Sequence, residues 1–289
     1  MGRKRNRGNG GGEGEGGGEG SAGGGGDAGS NWGGQHLQQA AVPLVAPHPR
    51  GDAVAVAYGA HLRVYDTKTN ALVELRAAAN VATPAASGDV DGAQTTEWHV
   101  DTIRGITFDP TGRFLATAGD DKVLCLWRTE ANAYVCVKRV KVHKKLCAVR
   151  FTDDGEHVLF ANKYGDVQVL PTSAADSEND PNVTPSGKDA DGDAVTGADA
   201  PAFLLGHCCS IITDMAVPVG SNLVCTADRD HKVRVSILPT TVSVMGGSPE
   251  IQSFCYGHTA FVACVASVLP GPVSHSPTVA SSVLPGAGA

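Results

Sequence analysis

The 289-residue sequence predicts an all-β fold built from repeated four-stranded units, a β-propeller. Three observations predict it. Thr117–Trp127 (TAGDDKVLCLW) and Thr226–Ser236 (TADRDHKVRVS) share small residues, an Asp-bearing tight turn and an alternating strand, which describe a β-hairpin. The histidines at 99, 143 and 207 precede strand ends at 127, 170 and 236 by similar distances. The segments carrying these features are rich in Val, Leu and Ile, which suit a pleated, half-buried surface. A four-strand unit that recurs with a His opening is the signature of a propeller blade.

Residues 1–40 are set apart by composition. Arg3, Lys4, Arg5 and Arg7 form a basic head, and a Gly/Glu-rich tract follows to about Ser30. Glycine at this density cannot bury enough surface to offset its ordering entropy, so the segment is expected to be disordered. Its basic head reads either as a nuclear-localisation or nucleic-acid arm or as a solubilising tail.

Val42–Leu75 reads as three short strands, with alternation in Asp52–Tyr58 and His61–Asp66 and turns at Gly59-Ala60 and Thr67–Asn70. Residues 77–96 are Ala-, Gly- and Asp-rich and read as a loop. The clearest unit follows: Trp98-His99, strand Ile103–Phe108, turn Asp109–Gly112, strand Arg113–Ala118, turn Gly119–Asp121 and strand Lys122–Trp127. Either Asp120 or Asp121 fills that last turn. A further unit runs from His143 through Leu146–Phe151, His157–Ala161 and Val167–Leu170. The next runs from Gly206-His207 through Ile211–Ala216, Asn222–Thr226 and Lys232–Ser236. Gly257-His258 and Phe261–Val265 open a fifth. The propeller is therefore expected over 41–266. Residues 171–201 interrupt it as a solvated acidic insertion, with seven acidic residues against one Lys. Residues 267–289, with VLPG at 268 and again at 283 and no charged side chain, read as a low-complexity tail without strand alternation to finish a blade.

The net charge of −7 does not announce a nucleic-acid binder. Eight cysteines without CxxC spacing, several inside apolar runs, suit a reduced intracellular protein with buried thiols and no metal site. With no apolar run of about 18 residues and no apolar signal core, the expectation is a soluble, non-secreted chain without a membrane partner. His207-Cys208-Cys209 cannot converge on one ion, since neighbouring strand residues point to opposite faces. No nucleophile constellation and no phosphate-cradling loop stands out, so the chain is expected not to be an enzyme and to hold no cofactor.

These repeats resemble WD40 repeats. The resemblance implies a buried hydrogen-bond chain of His, Ser/Thr, Asp and Trp in each blade. The second unit keeps all four as His99, Thr117, Asp121 and Trp127. The His207 unit keeps His207, Thr226 and Asp230 but has Ser236 in place of Trp, and the His143 unit lacks both the turn Asp and the Trp. Histidines in this setting are fold residues, not catalysts or ligands. Incomplete chains should pack more loosely, because a buried polar chain stabilises only when each member is satisfied.

The hairpin Asp228–Arg234 is unusually charged for a repeat strand. Lys232, Arg234 and Ser236 share one face and Val233 and Val235 the other. The cations read either as a surface comb for carboxylates or phosphates, or as a solvated edge with local ion pairs. TADRDHKVRVS, followed by IQSFCYGHTAFV at 251–262, closely resembles the WD-repeat non-catalytic subunit of tRNA (guanine-N7-)-methyltransferase, and the similarity runs from about Val42 to Val262. The resemblance implies a seven-bladed propeller, of which about four blades and part of a fifth are encoded, so a truncated product is expected. It implies no catalytic residue, a heterodimer with the catalytic subunit, S-adenosylmethionine bound by that partner, and a nuclear location, with cytoplasm second. It also implies that Arg234 pairs with an acidic residue of the partner, with Lys232, Asp230 and Arg229 beside it. Ala260 departs from the acidic residue usual after Gly-His-Thr. Lys138, Arg139, Lys141, Lys144 and Lys145 form the densest basic stretch, read as a rim for indirect or weak contact with a tRNA backbone or as a solvated loop. The alternative function is a generic WD40 adaptor, such as a ubiquitin-ligase substrate receptor or a chromatin scaffold.

Overall fold

A computed structural model describes residues 42–79, 81, 86–88, 94–96, 98–175, 201–208, 210–239, 250–268 and 278–283. The basic head, the glycine tract and most of the acidic insertion lie outside the described residues.

The first blade is an antiparallel meander of β1 (Leu44–Pro47), β2 (Ala53–Tyr58), β3 (His61–Asp66) and β4 (Leu72–Ala77). The small residues Ala53, Ala55 and Ala57 alternate on the buried side of β2, as a period of two dictates. A short pair, β5 (Ala86–Gly88) and β6 (Gln94–Thr96), lies within the stretch read as a loop. The second blade comprises β7 (Ile103–Phe108), β8 (Phe114–Gly119), β9 (Val123–Thr129) and β10 (Ala133–Lys141). The third comprises β11 (Leu146–Phe151), β12 (His157–Asn162), β13 (Asp166–Pro171) and β14 (Ala202–Gly206), with a 3₁₀ turn at Thr172–Ala175. The fourth comprises β15 (Ile212–Ala216), β16 (Leu223–Asp228), β17 (Val233–Ile237) and β18 (Ile251–Cys255). A fifth begins with β19 (Val262–Val268), paired antiparallel with β20 (Thr278–Val283).

The architecture is a WD40-type propeller arrangement. The first strands of successive blades, β1, β7, β11, β15 and β19, lie side by side. Hydrophobic clusters fill each gap between neighbouring blades. Ala55, Val64, Leu115 and Trp127 join the first and second blades, and Leu124, Leu126, Val149 and Phe160 join the second and third. Leu159, Leu204, Ile212 and Val224 join the third and fourth, while Val233, Val235, Val262 and Val265 reach the fifth. Alternation is what serves both neighbours at once. On β9, Cys125 and Trp127 face the first blade and Leu124 and Leu126 the third. Gly105 lets β7 approach β11, because a Cβ there would lie 2.9 Å from the Val149 backbone nitrogen.

Three features differ from the sequence reading. The outer strands β10, β14 and β18 complete their blades where no strand was assigned. Lys138 and Arg139 interrupt the apolar run of β10, β14 follows directly on the acidic insertion, and β18 (IQSFC) lacks alternation. The first blade has four strands, not three, because Leu44–Pro47 pairs along β2. Strand pairing also continues past Ala266, through β20, in a segment whose composition gave no strand signal. β10 and β4 pair in parallel over Ala133–Cys136, which joins the outer edges of the first two blades. A bulge between Cys136 and Lys138 bends β10 away from that contact.

Candidate functional site

In the second blade the polar chain assembles completely. Trp127 Nε1 donates to Thr117 Oγ1 at 3.2 Å, and His99 Nε2 lies 2.9 Å from the same oxygen. His99 Nδ1 donates to Asp121 Oδ2 at 3.0 Å, and Asp121 also accepts the backbone N–H groups of Val100 and Val123. Asp121 is therefore the turn residue. Asp120 instead meets Arg104 Nη2 at 2.8 Å and Lys163 Nζ at 2.6 Å, tying the second blade to the third.

Burial pulls the His99 pKa down, but the adjacent Cys125 sulfur and the Asp121 carboxylate outweigh it and raise the value to about 9, against an ordinary 6.5. A folded value above the unfolded one gives stability that is complete below pH 6.5 and fades as pH rises through about 9. The urea midpoint is thus expected to fall between pH 7 and 9.5. Asp121→Asn should flatten that slope, which pH-dependent unfolding curves will check.

The third blade has no such chain. His143 is exposed, and Asn162 bridges to Asp166 at 3.0 Å while its carbonyl oxygen accepts the Tyr164 and Asp166 N–H groups. A local amide closes the turn where the other blades use histidine.

In the fourth blade His207 Nε2 lies 2.7 Å from Thr226 Oγ1, and His207 Nδ1 donates to Asp228 Oδ2 at 3.1 Å. This corrects the expectation that Asp230 fills the place. Asp228 is buried at the end of β16, and its other oxygen accepts the N–H groups of Asp230 and Lys232. Asp230 is exposed at the tip. The two hairpins are equal in length, with Thr117 opposite Cys125 and Thr226 opposite Arg234, but the fourth blade carries Asp228 where the second has Gly119, and this earlier carboxylate reaches both histidine and turn backbone. The signal was present: an Asp bonding backbone N–H groups two residues on is an Asx turn.

Arg234 is also corrected. Its side chain does not point outward: it is 8 % exposed. Nε donates to Ser236 Oγ at 2.7 Å and one terminal nitrogen to the Gly206 carbonyl at 3.0 Å. Thr226, Arg234 and Ser236 lie on the face that packs towards the third blade, because their row includes Val224 of that cluster. Lys232 is half-buried, and Arg229 and Asp230 are exposed. The His207 pKa is lowered, first by burial and further by the charges of Arg234 and Lys232, against the pull of Asp228.

The basic stretch divides. Lys138 lies in β10, 5 % exposed, with no hydrogen bond to its ammonium, on the face between the second and third blades. Two consecutive residues of the bulge share that face, which turns a surface lysine inward. Arg139 is half-buried opposite Cys125. Lys141 and Lys144 are exposed, and Lys144 Nζ sits 3.9 Å from the Tyr164 ring centroid. Lys145 is exposed and pairs with Asp101 at 3.3 Å. These residues do not form one continuous cationic surface.

Among the described residues no cluster of three metal-ligating side chains occurs. A cleft of about 940 Å³ is lined by His48, Arg50, Asp52, Arg113, Arg128 and Glu130 among others, and none of the site residues expected from the sequence lines it.

The family described as the tRNA methyltransferase TRM82 WD40 domain matches residues 66–200 and 198–271. A Dictyostelium discoideum protein named tRNA (guanine-N(7)-)-methyltransferase non-catalytic subunit wdr4 is 28% identical over 228 residues, 78% of this chain and 42% of the relative. Mouse and human proteins named non-catalytic subunit WDR4 are 33% and 32% identical, over 65% and 58% of this chain. The chain spans only 42%, 37% and 33% of these three relatives. Repeats, fold and family match agree, and the chain belongs to the tRNA methyltransferase TRM82 WD40-domain family.

Proposed function

We propose that this chain is a non-catalytic subunit that binds and stabilises the catalytic subunit forming N7-methylguanosine in the variable loop of tRNA. The observation that carries the reading is the fourth-blade hairpin. Asp228 fixes its turn from beneath, so Arg229, Asp230 and Lys232 stand on a rigid tip above a nearly buried Arg234. A rigid, mixed-charge tip suits recognition of a carboxylate-bearing protein surface. The relatives' names, each a non-catalytic subunit of tRNA (guanine-N(7)-)-methyltransferase, support a catalytic partner. In this reading the partner binds S-adenosylmethionine itself, and the two form a heterodimer in the nucleus. Contact with tRNA is weak or indirect. Lys141 and Lys144 are the exposed cations that favour it, while Lys138 is withdrawn into the fold.

Co-expression with that catalytic subunit and affinity purification tests the reading. Arg234→Glu is expected to abolish the complex. Because Arg234 is buried, the tip pair Arg229→Glu with Lys232→Glu, the first exposed and the second half-buried, is measured beside it and should weaken binding at least ~10-fold, the loss of one to two charge-assisted bonds. Undiminished complex with the tip pair would sink the proposal. Recovery of ubiquitin-ligase or chromatin components without a methyltransferase would establish the adaptor function instead.

A further inference from the structure

We infer that Ser236 is a positioning residue for the partner contact, acting through Arg234. The inference rests on the scaffold reading above. Register shows how the site is made. Leu115 pairs with Trp127 in the second blade, and Val224 pairs with Ser236 in the fourth. Ser236 therefore occupies the place of the buried indole. Thr117 pairs with Cys125, and Thr226 with Arg234, so the arginine starts from the neighbouring row on the same face.

A serine leaves most of the volume of an indole unfilled, and close-packed interiors do not keep such space. The Arg234 side chain turns inward on this face. Its Nε donates to Ser236 Oγ at 2.7 Å and its terminal nitrogen to Gly206 O at 3.0 Å. Gly206 ends β14 and directly precedes His207, whose ring is held by Thr226 and Asp228. One guanidinium thus links β17 to the loop that fixes the hairpin tip.

An arginine free in solvent must give up side-chain freedom to meet a carboxylate. One already seated has given it up on folding, so less is lost on binding. The two bonds leave further N–H groups of the guanidinium for a partner. Burial to 8 % exposure places that contact in a poorly screened setting, where charge-assisted bonds are strongest. The Trp127 place carries out one task in the second blade and another in the fourth. An indole there closes a polar chain, and a hydroxyl there aims a cation.

A double-mutant cycle tests this. Dissociation constants for the catalytic subunit are measured with the full chain as wild type, Ser236→Ala, Arg234→Ala and the double variant, with folding checked by circular dichroism. Ser236→Ala is expected to weaken binding about five-fold, the worth of one hydrogen bond, and to cause no further loss when Arg234 is already Ala. Ser236→Thr, which keeps the acceptor, should restore binding. Unchanged binding by Ser236→Ala, or an equal loss in both backgrounds, overturns the inference, since a packing role would not depend on Arg234. If Ser236→Ala does not fold, Ser236→Cys replaces it, with a smaller loss expected and the same additivity test. A wild-type chain that does not bind the catalytic subunit overturns the scaffold reading and this inference together. A wild-type chain that binds, with additive variants, overturns the seat alone.

Discussion

Trp127→Ala is expected to destabilise the chain by about 4 kcal/mol, near the top of the range for core truncations. Three losses combine. The indole is fully buried in the cluster between the first and second blades, so its removal leaves a cavity that the β9 backbone cannot collapse to fill. Its edge-on contact with Trp98, at 4.7 Å between ring centroids, disappears. Thr117 Oγ1 loses its buried indole donor. Trp127→Phe separates these contributions: it keeps a ring and loses the N–H, and it should cost roughly 1–2 kcal/mol. Urea denaturation of both variants, followed by tryptophan-independent far-UV circular dichroism, provides the comparison. Equal costs for the two substitutions would show that the indole volume contributes little.

Asp228→Ala is expected to cost about 3 kcal/mol, and Asp230→Ala close to nothing, although the two acids stand two residues apart. Asp228 is 2 % exposed and accepts three hydrogen bonds, from His207 and from the N–H groups of Asp230 and Lys232. Its loss leaves buried donors unsatisfied, the expensive direction of the hydrogen-bond balance. Asp230 is exposed at the turn, where substitutions usually fall within about 0.5 kcal/mol. The loss at Asp228 should also be local. Hydrogen exchange is expected to accelerate over 226–236, while β8 and β9 keep their protection. Under the proposed function, Asp228→Ala is also expected to lose binding to the catalytic subunit, with Arg229, Lys232 and Arg234 all present, because the tip is no longer held from below. Similar costs for the two substitutions would return the turn to the reading made from spacing alone.

The two hairpins from which the fold was read show how far a sequence pattern carries. TAGDDKVLCLW and TADRDHKVRVS both announce a small-residue strand, a turn with an acid, and a second alternating strand. Each forms that hairpin, β8–β9 and β16–β17. Spacing could not choose between Asp120 and Asp121, and it favoured Asp230 where Asp228 serves. A carboxylate finds its histidine through space, and in a turn of equal length an acid two residues earlier takes the histidine that spacing assigned to the later one. Lys138 and Arg234 were read as surface cations because charge predicts exposure. A bulge in β10 and a missing indole beside β17 decided otherwise. Both are events of strand pairing with residues distant in the chain.

What the sequence by itself determined is the repeat, its period and its inner strands, which follow from alternation and turn chemistry that act over a few residues. The His99–Thr117–Asp121–Trp127 chain and the family were legible through resemblance to WD40 repeats, and the structure chose Asp121 over Asp120. The tertiary structure alone decided the outer strands, the parallel β4–β10 edge, which aspartate holds His207, and the inward course of Arg234. Each depends on what the neighbouring blade leaves open, and space between blades is a property of packing that no single strand encodes.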